Sequence, residues 1–357
     1  MTVEGRSNAP RVIIWFLVIA ALVAGAIAYT RVEPGSEQVR IALITADSDP
    51  YWEAVVDGAQ ATADELGVEL VVFKANGGLE DQTKHLNAVA EGGFSGLAVS
   101  PVDGTRQALA LREMSNAMPV VTIDSDSELS GRLCFVGPDN YSAGQRCAEL
   151  LKQALPDGGT VVVISGPMEK ENGRLRRQGF IDAVLGRSPG AGRPMDPLEG
   201  SLEAEGYSVA ATFVDPIDPE QAQANVAAAL EQFEGVDAVV GLYAYHVPAA
   251  LSALESAGRL GDVKVIGFDD RQETLAGIAE GRVFGTIAQD QYSYGRASIR
   301  LLADVARSDA SGQYVSVPMK GQINFPPIMV KRDSLDEFMN ARDGSRALMG
   351  VRVSSGE

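Results

Sequence analysis

The chain has 357 residues, enough for two domains, and its 45% hydrophobic and 22% charged content is that of an ordinary globular protein with a sizeable core. A formal charge of −18 repels phosphate backbones and anionic lipid head groups, which argues against nucleic acid as a partner. The only cysteines, Cys134 and Cys147, cannot make a disulfide scaffold or a four-cysteine zinc site, and they read as two separately buried thiols.

In chain order, residues 1–11 are a short tail carrying Arg6 and Arg11. Residues 12–29 follow, with no charged or polar side chain from Val12 to Ala28. A positive stretch ahead of an apolar run marks an exported chain, and the segment suits a cleaved signal peptide or a retained membrane anchor equally. Residues 30–38, with Pro34, Gly35 and Ser36, read as a linker.

From Val39 the sequence alternates. Strands are expected at 39–45, 68–74, 96–100, 120–123 and 133–136, with helices starting at Asp49-Pro50 and covering 79–91 and 104–118. The rhythm restarts with strands at 160–165, 207–213, 238–242 and 263–268 and helices at 173–185, 219–233 and 247–257. The halves echo one another: Pro119-Val-Val-Thr-Ile-Asp124 answers Lys264-Val-Ile-Gly-Phe-Asp269. Alternating β and α at these lengths predicts an α/β protein of two doubly wound parallel-sheet lobes. The Pro/Gly-rich segment 186–206 is expected as a surface insertion, and the residues after Asp333 as one short helix and a frayed tail.

In such sheets ligands bind beyond the carboxyl ends of the strands. Asp269 ends an apolar strand, and Asp270, three residues before Glu273, reads as the capping-box residue of the next helix. Asp269 is thereby left without a structural task. The other residues at these edges are Asp49, Tyr51 and Trp52, Asp124, Arg174, Asp215, Tyr243 to His246, and Gln289. Carboxylates, an arginine, an amide and aromatic faces suit a neutral polyhydroxylated ligand. Arg176 and Arg177 read as solvated.

Asp49-Pro50-Tyr51-Trp52, Val-Thr-Ile-Asp at 121–124, Val-Ile-Gly-Phe-Asp at 265–269 and Gly-Thr-Ile-Ala-Gln at 285–289 occur in one order and spacing. On these pieces the chain resembles, from about Val39 to Lys331, the periplasmic sugar-binding proteins of the ribose-binding type. The resemblance implies the type I periplasmic binding fold with a three-strand hinge near Pro138, Gln289 and Asn324. It divides the chain into an N-terminal lobe of 39–138 plus 290–323 and a C-terminal lobe of 139–289 plus 324–335, with 336–357 as tail. It implies ligand contacts from Asp49, Tyr51, Trp52, Asp124, Arg174, Asp269 and Gln289, to which the strand-end reading adds Tyr243 and His246. It also implies delivery of a sugar to a membrane ABC permease by a monomeric protein. Two departures stand out: Ser125 replaces the arginine of the ribose-binding pattern, and Tyr243-Ala244-Tyr245-His246 replaces its asparagine-aspartate.

A catalytic reading finds little to rest on. His246 has only His85 for company, and no nucleophile elbow, phosphate-binding glycine loop or paired-histidine zinc motif occurs. The expectation is a binding protein with no cofactor and no metal. The alternatives are a sensor module that signals to a membrane receptor and a carbohydrate-active enzyme on the same fold.

Overall fold

Short runs rich in valine and isoleucine become buried strands, and the amphipathic runs between them become helices that cover both faces of two sheets. The computed structural model describes residues 38–348, apart from 77, 189–192, 205, 312–314 and 319–320. The export segment expected at 12–29 lies outside the described residues. Among the described residues no helix is long and apolar enough to cross a membrane.

The chain opens with β1 (Arg40–Ile44), α1 (Tyr51–Leu66), β2 (Glu69–Phe73), α2 (Gly78–Glu91), β3 (Gly96–Val99), α3 (Ala108–Ala117), β4 (Val120–Ile123) and β5 (Cys134–Gly137). It then passes into a second sheet through α4 (Asn140–Ala154), β6 (Gly159–Ser165), α5 (Glu171–Val184), β7 (Leu202–Ala204), β8 (Tyr207–Val214), α6 (Pro219–Gln232) and β9 (Val236–Gly241). This sheet continues with α7 (His246–Ser256), β10 (Lys264–Phe268), α8 (Gln272–Glu280) and β11 (Gly285–Ala288). The chain returns to the first sheet for α9 (Gln291–Ser311) and β12 (Gln322–Asn324), and ends on the second with β13 (Ile328–Lys331) and α10 (Leu335–Leu348).

The sheet orders are β12-β5-β4-β3-β1-β2 and β13-β11-β10-β9-β6-β8-β7. Within each, the first five parallel strands run in the same relative order, second-first-third-fourth-fifth, so the sequence echo is a structural repeat; β12 adds a sixth parallel strand beside β5 in the first sheet. β3, β4 and β11 are buried along their whole length, which is why they read as unbroken apolar runs. Two antiparallel edges depart from a purely parallel sheet: β13 beside β11, and β7 beside β8. β7 comes from the 186–206 insertion, where a close reversal of the chain brings Leu202–Ala204 back along Tyr207–Val209.

The C-terminal segment is longer than a short helix and a tail. α10 carries Leu335, Phe338 and Met339 at helical spacing, and all three pack on the apolar core of the second lobe. Each fully buried Leu, Ile, Val or Phe of that core contributes about 1.5–3 kcal/mol.

Glycines set the closest helix crossings. A Cβ on Gly144 of α4 would lie 2.0 Å from the Arg176 carbonyl oxygen of α5, and one on Gly295 of α9 would lie 1.9 Å from the Val55 carbonyl oxygen of α1. The first of these crossings holds α5, and with it the arginine central to the site, against the sheet. Cys134 and Cys147 are both buried and unbridged.

Candidate functional site

The loops after the carboxyl ends of β1, β4, β6, β8, β9 and β10 line one cleft between the two sheets. Its lining includes Asp47, Asp49, Tyr51 and Trp52 after β1 and Asp124 after β4, with Lys170, Asn172 and Arg176 after β6. Ile217 after β8, Tyr243 to Tyr245 after β9 and Asp269 after β10 complete it. The cavity they leave is small, about 30 Å³, room for roughly one or two water molecules.

Asp124 and Asp269 occupy equivalent places in the repeat. The Asp124 amide donates to the Val136 carbonyl of β5 at 3.0 Å, and the Asp269 amide to the Ile287 carbonyl of β11 at 2.9 Å. Each amide thus makes the last rung of its ladder before the chain turns into the left-handed region, at φ 61° and φ 67°. Aspartate tolerates that conformation better than most residues. The third such residue, Ile217 at φ 66°, is β-branched and strained there, and it too lines the cleft.

Asp124 is the hub. Its Oδ1 accepts from the Tyr51 hydroxyl at 3.0 Å and from Arg176 Nη2 at 3.1 Å, and its Oδ2 accepts from Asn172 Nδ2 at 2.6 Å. Tyr51 and Asp124 follow strands of the first sheet, whereas Asn172 and Arg176 lie on α5 beside the second. The network therefore ties the lobes together. Arg176 is 1% exposed; it also donates through Nε to Asn140 Oδ1, through Nη1 to the Leu242 carbonyl and through Nη2 to Gln289 Oε1. Gln289, between β11 and α9, returns its Nε2 to Asp269 Oδ1 at 2.5 Å. Nearer the cleft mouth, Asp49 pairs with Arg271 and Asp47 lies 3.7 Å from Lys170.

Behind the cleft, Asp215 Oδ1 accepts the Tyr245 hydroxyl at 2.6 Å and its Oδ2 lies 3.0 Å from His246 Nε2. The Tyr243 amide donates to His246 Nδ1, so Nδ1 is the acceptor and the proton sits on Nε2, donated to Asp215. Burial holds the imidazole below its ordinary pKa. Burial opposes the Asp215 charge, but hydrogen bonds from His246 and Tyr245 hold its carboxyl below the usual range. The pair is a neutral imidazole fixing a carboxylate, which in turn fixes Tyr245.

Asp269 behaves differently. It is 3% exposed, and burial pushes its carboxyl up to about 7 against the opposing pull of Arg176 and Gln289, with Asp124 and Asp270 raising it further. Burial also raises the Tyr51 and Tyr243 phenols, which stay protonated and act as donors.

Of the residues singled out in the sequence, Asp49, Tyr51, Trp52, Asp124, Tyr243 and Asp269 line the cleft. Gln289 stands behind the wall and orients Asp269 and Arg176. His246 is fully buried behind Tyr243 and Tyr245 and does not line the cavity.

Arg174 is not in the lining, and its Nη1 lies 3.5 Å from the Met168 carbonyl. The arginine in the cleft is Arg176, expected in solvent, because α5 presents that face to the Asp124 carboxylate. Arg177 is likewise 2% exposed and bonds Thr212 Oγ1.

Asp270 does not cap α8. The left-handed turn at Asp269 displaces it, and its carboxylate takes Gln291 and Arg342 instead. Asn172, Lys170 and Asp47 were missed: they lie in loops or a helix start where no periodicity marks them.

Comparison with known proteins agrees with this arrangement. The model of the periplasmic binding protein domain matches residues 41–310. The ribose import binding protein RbsB of Bacillus subtilis is 23% identical over 280 residues, covering 76% of this chain and 83% of that protein. The xylitol-binding protein of Mycolicibacterium smegmatis is 23% identical over 279 residues, covering 77% and 72%. Among solved structures, the glucose-galactose binding protein GanP of Geobacillus stearothermophilus superposes with a TM-score of 0.73 at 25% identity, covering 84% of this chain and 99% of that one. Two lobes with the same strand order, a cleft at their strand ends and a family match over most of the chain lead to one conclusion: the chain belongs to the periplasmic binding protein domain family.

Proposed function

We propose that the chain captures a sugar or sugar-like polyol in the cleft and delivers it to a membrane ABC permease. It is a binding protein of an exported family and not an enzyme. The observation that carries the reading is the Asp124 hub, where hydrogen-bonding groups from both lobes meet beside an aromatic-walled cleft. Carboxylates and amides there can hold hydroxyl groups, and the faces of Tyr51, Trp52 and Tyr243 can lie on C–H surfaces. The named relatives point the same way, being binding proteins for ribose and for xylitol.

Capture would proceed by closure of the lobes about the crossover segments, with Asp124 exchanging water for ligand and for Arg176. Residues 12–29 supply the export signal and, where retained, a membrane tether. The protein acts as a monomer and, at its charge of −18, has no nucleic-acid partner. Trp52, 3% exposed in the cleft lining, is the natural reporter. Titration with ribose, glucose, galactose and xylitol should change its emission saturably for at least one of them. A folded protein whose emission and heat both stay flat across such a panel would overturn the reading.

A further inference from the structure

The charges of the cleft do not balance. Asp47 faces Lys170, Asp49 pairs with Arg271 and Asp124 pairs with Arg176. Asp269 lines the same cavity with no ion-pair partner among the described residues; its side chain has one hydrogen bond, from Gln289 to Oδ1.

Most side-chain donors of the lining are also spent inward, the Trp52 indole N–H excepted. Arg176 directs its N–H groups to Asn140, Leu242, Asp124 and Gln289. The Tyr51, Tyr243 and Tyr245 hydroxyls donate to Asp124, Asn172 and Asp215, and Asn172 donates to Asp124. Lys170 is engaged with Asp47. Apart from the Trp52 indole N–H and the Lys170 ammonium, a ligand therefore meets oxygen lone pairs, a carboxylate and ring faces. A hydroxyl brings one proton to such a wall; an ammonium brings three, and its charge is attracted to aromatic faces.

We propose that the ligand of this cleft carries a basic nitrogen: an amino sugar or amino-polyol whose ammonium docks on Asp269 against the rings of Tyr51, Trp52, Tyr243 and Tyr245. The inference rests on the sugar-capture reading and narrows its substrate class. The groups that set the charge on Asp269 are Arg176 from α5, Asp124 after β4, the adjacent Asp270, and the phenols of Tyr51 and Tyr294, which stay neutral. A neutral ligand would close over a carboxylate offset by Arg176, itself already paired with Asp124, whereas an ammonium supplies a charge of its own. The same wall disfavours uronic acids and sugar phosphates.

The test is calorimetric titration of the full chain at pH 7 with matched pairs: glucose and glucosamine, galactose and galactosamine, and glucose and 1-deoxynojirimycin. At least one nitrogen-bearing member should bind about tenfold or more tighter than its hydroxyl counterpart. Because burial pushes Asp269 up to about 7, docking of an amine already fully protonated in solution should also release a fraction of a proton, read by comparing buffers of different ionisation enthalpy. Asp269→Asn, with folding checked by circular dichroism, should abolish the preference. Neutral members binding as tightly as every nitrogen-bearing partner, with no proton release, would overturn this inference and leave sugar capture standing. Silence from every compound, and from ribose and xylitol as well, would overturn both.

Discussion

Replacing Asp269 by Asn should make the ligand-free protein more stable, by an amount that depends on pH. Asn keeps the shape, accepts the Gln289 hydrogen bond and tolerates the left-handed backbone at φ 67°. It removes a carboxyl that burial has pushed from 3.8 to about 7. At about 1.4 kcal/mol per pH unit, that gap is about 4 kcal/mol, an upper bound because opening of the lobes lets the carboxylate rehydrate. The sign follows from proton binding. The folded state holds this proton more tightly than the unfolded chain, so wild-type stability is highest at acid pH and falls as pH rises between 3.8 and about 7. The variant escapes that loss. Urea unfolding should therefore show a gain of about 2–4 kcal/mol for Asp269→Asn at pH 8, shrinking steadily to nothing near pH 4. A difference that stays constant across that range, or wild type the more stable at pH 8, would refute the reasoning.

Three further outcomes follow from named contacts. Arg271→Ala removes the partner of Asp49 across the cleft mouth, and a partly exposed pair of this kind is worth about 0.2–1 kcal/mol, so ligand dissociation in stopped flow should quicken about two- to fivefold and become less sensitive to salt. Gly144→Ala puts a Cβ 2.0 Å from the Arg176 carbonyl and should cost about 1–3 kcal/mol in urea unfolding, with weakened ligand binding because Arg176 moves with α5. Cys134 and Cys147 are buried, with both thiols raised by burial; a thiol reagent at pH 8 should label neither until urea unfolds the chain.

The architecture was legible because it is repetitive. Buried parallel strands write themselves as unbroken apolar runs, and a carboxylate at the end of such a run has few reasons to be there except the cleft; Asp124 and Asp269 were both found that way. The arginine was harder. Arg174, Arg176 and Arg177 share the start of one helix, and only the packing of α5 against α4 decides which faces Asp124. Asp270 met the capping-box pattern, but one left-handed residue before it moved the helix start and sent its carboxylate to Arg342, in a segment expected as one short helix and a frayed tail. His246 was placed at the right strand end but one layer too far forward, because a sequence shows position along the chain and not depth behind Tyr243 and Tyr245. Lys170 and Asn172 had no local signal at all, since residues at a helix start become a site only when the second lobe is brought over the first.

The central claim is that a ligand is held between the lobes at the Asp124 hub. Its most direct test is calorimetry of the full chain against pentoses, hexoses, polyols and their amino derivatives, with Asn172→Ala and Asp124→Ala alongside. Saturable one-to-one binding of one compound, lost in both variants although their residues lie in different lobes, is the predicted result. Binding that survives both substitutions would place the ligand elsewhere and contradict the account.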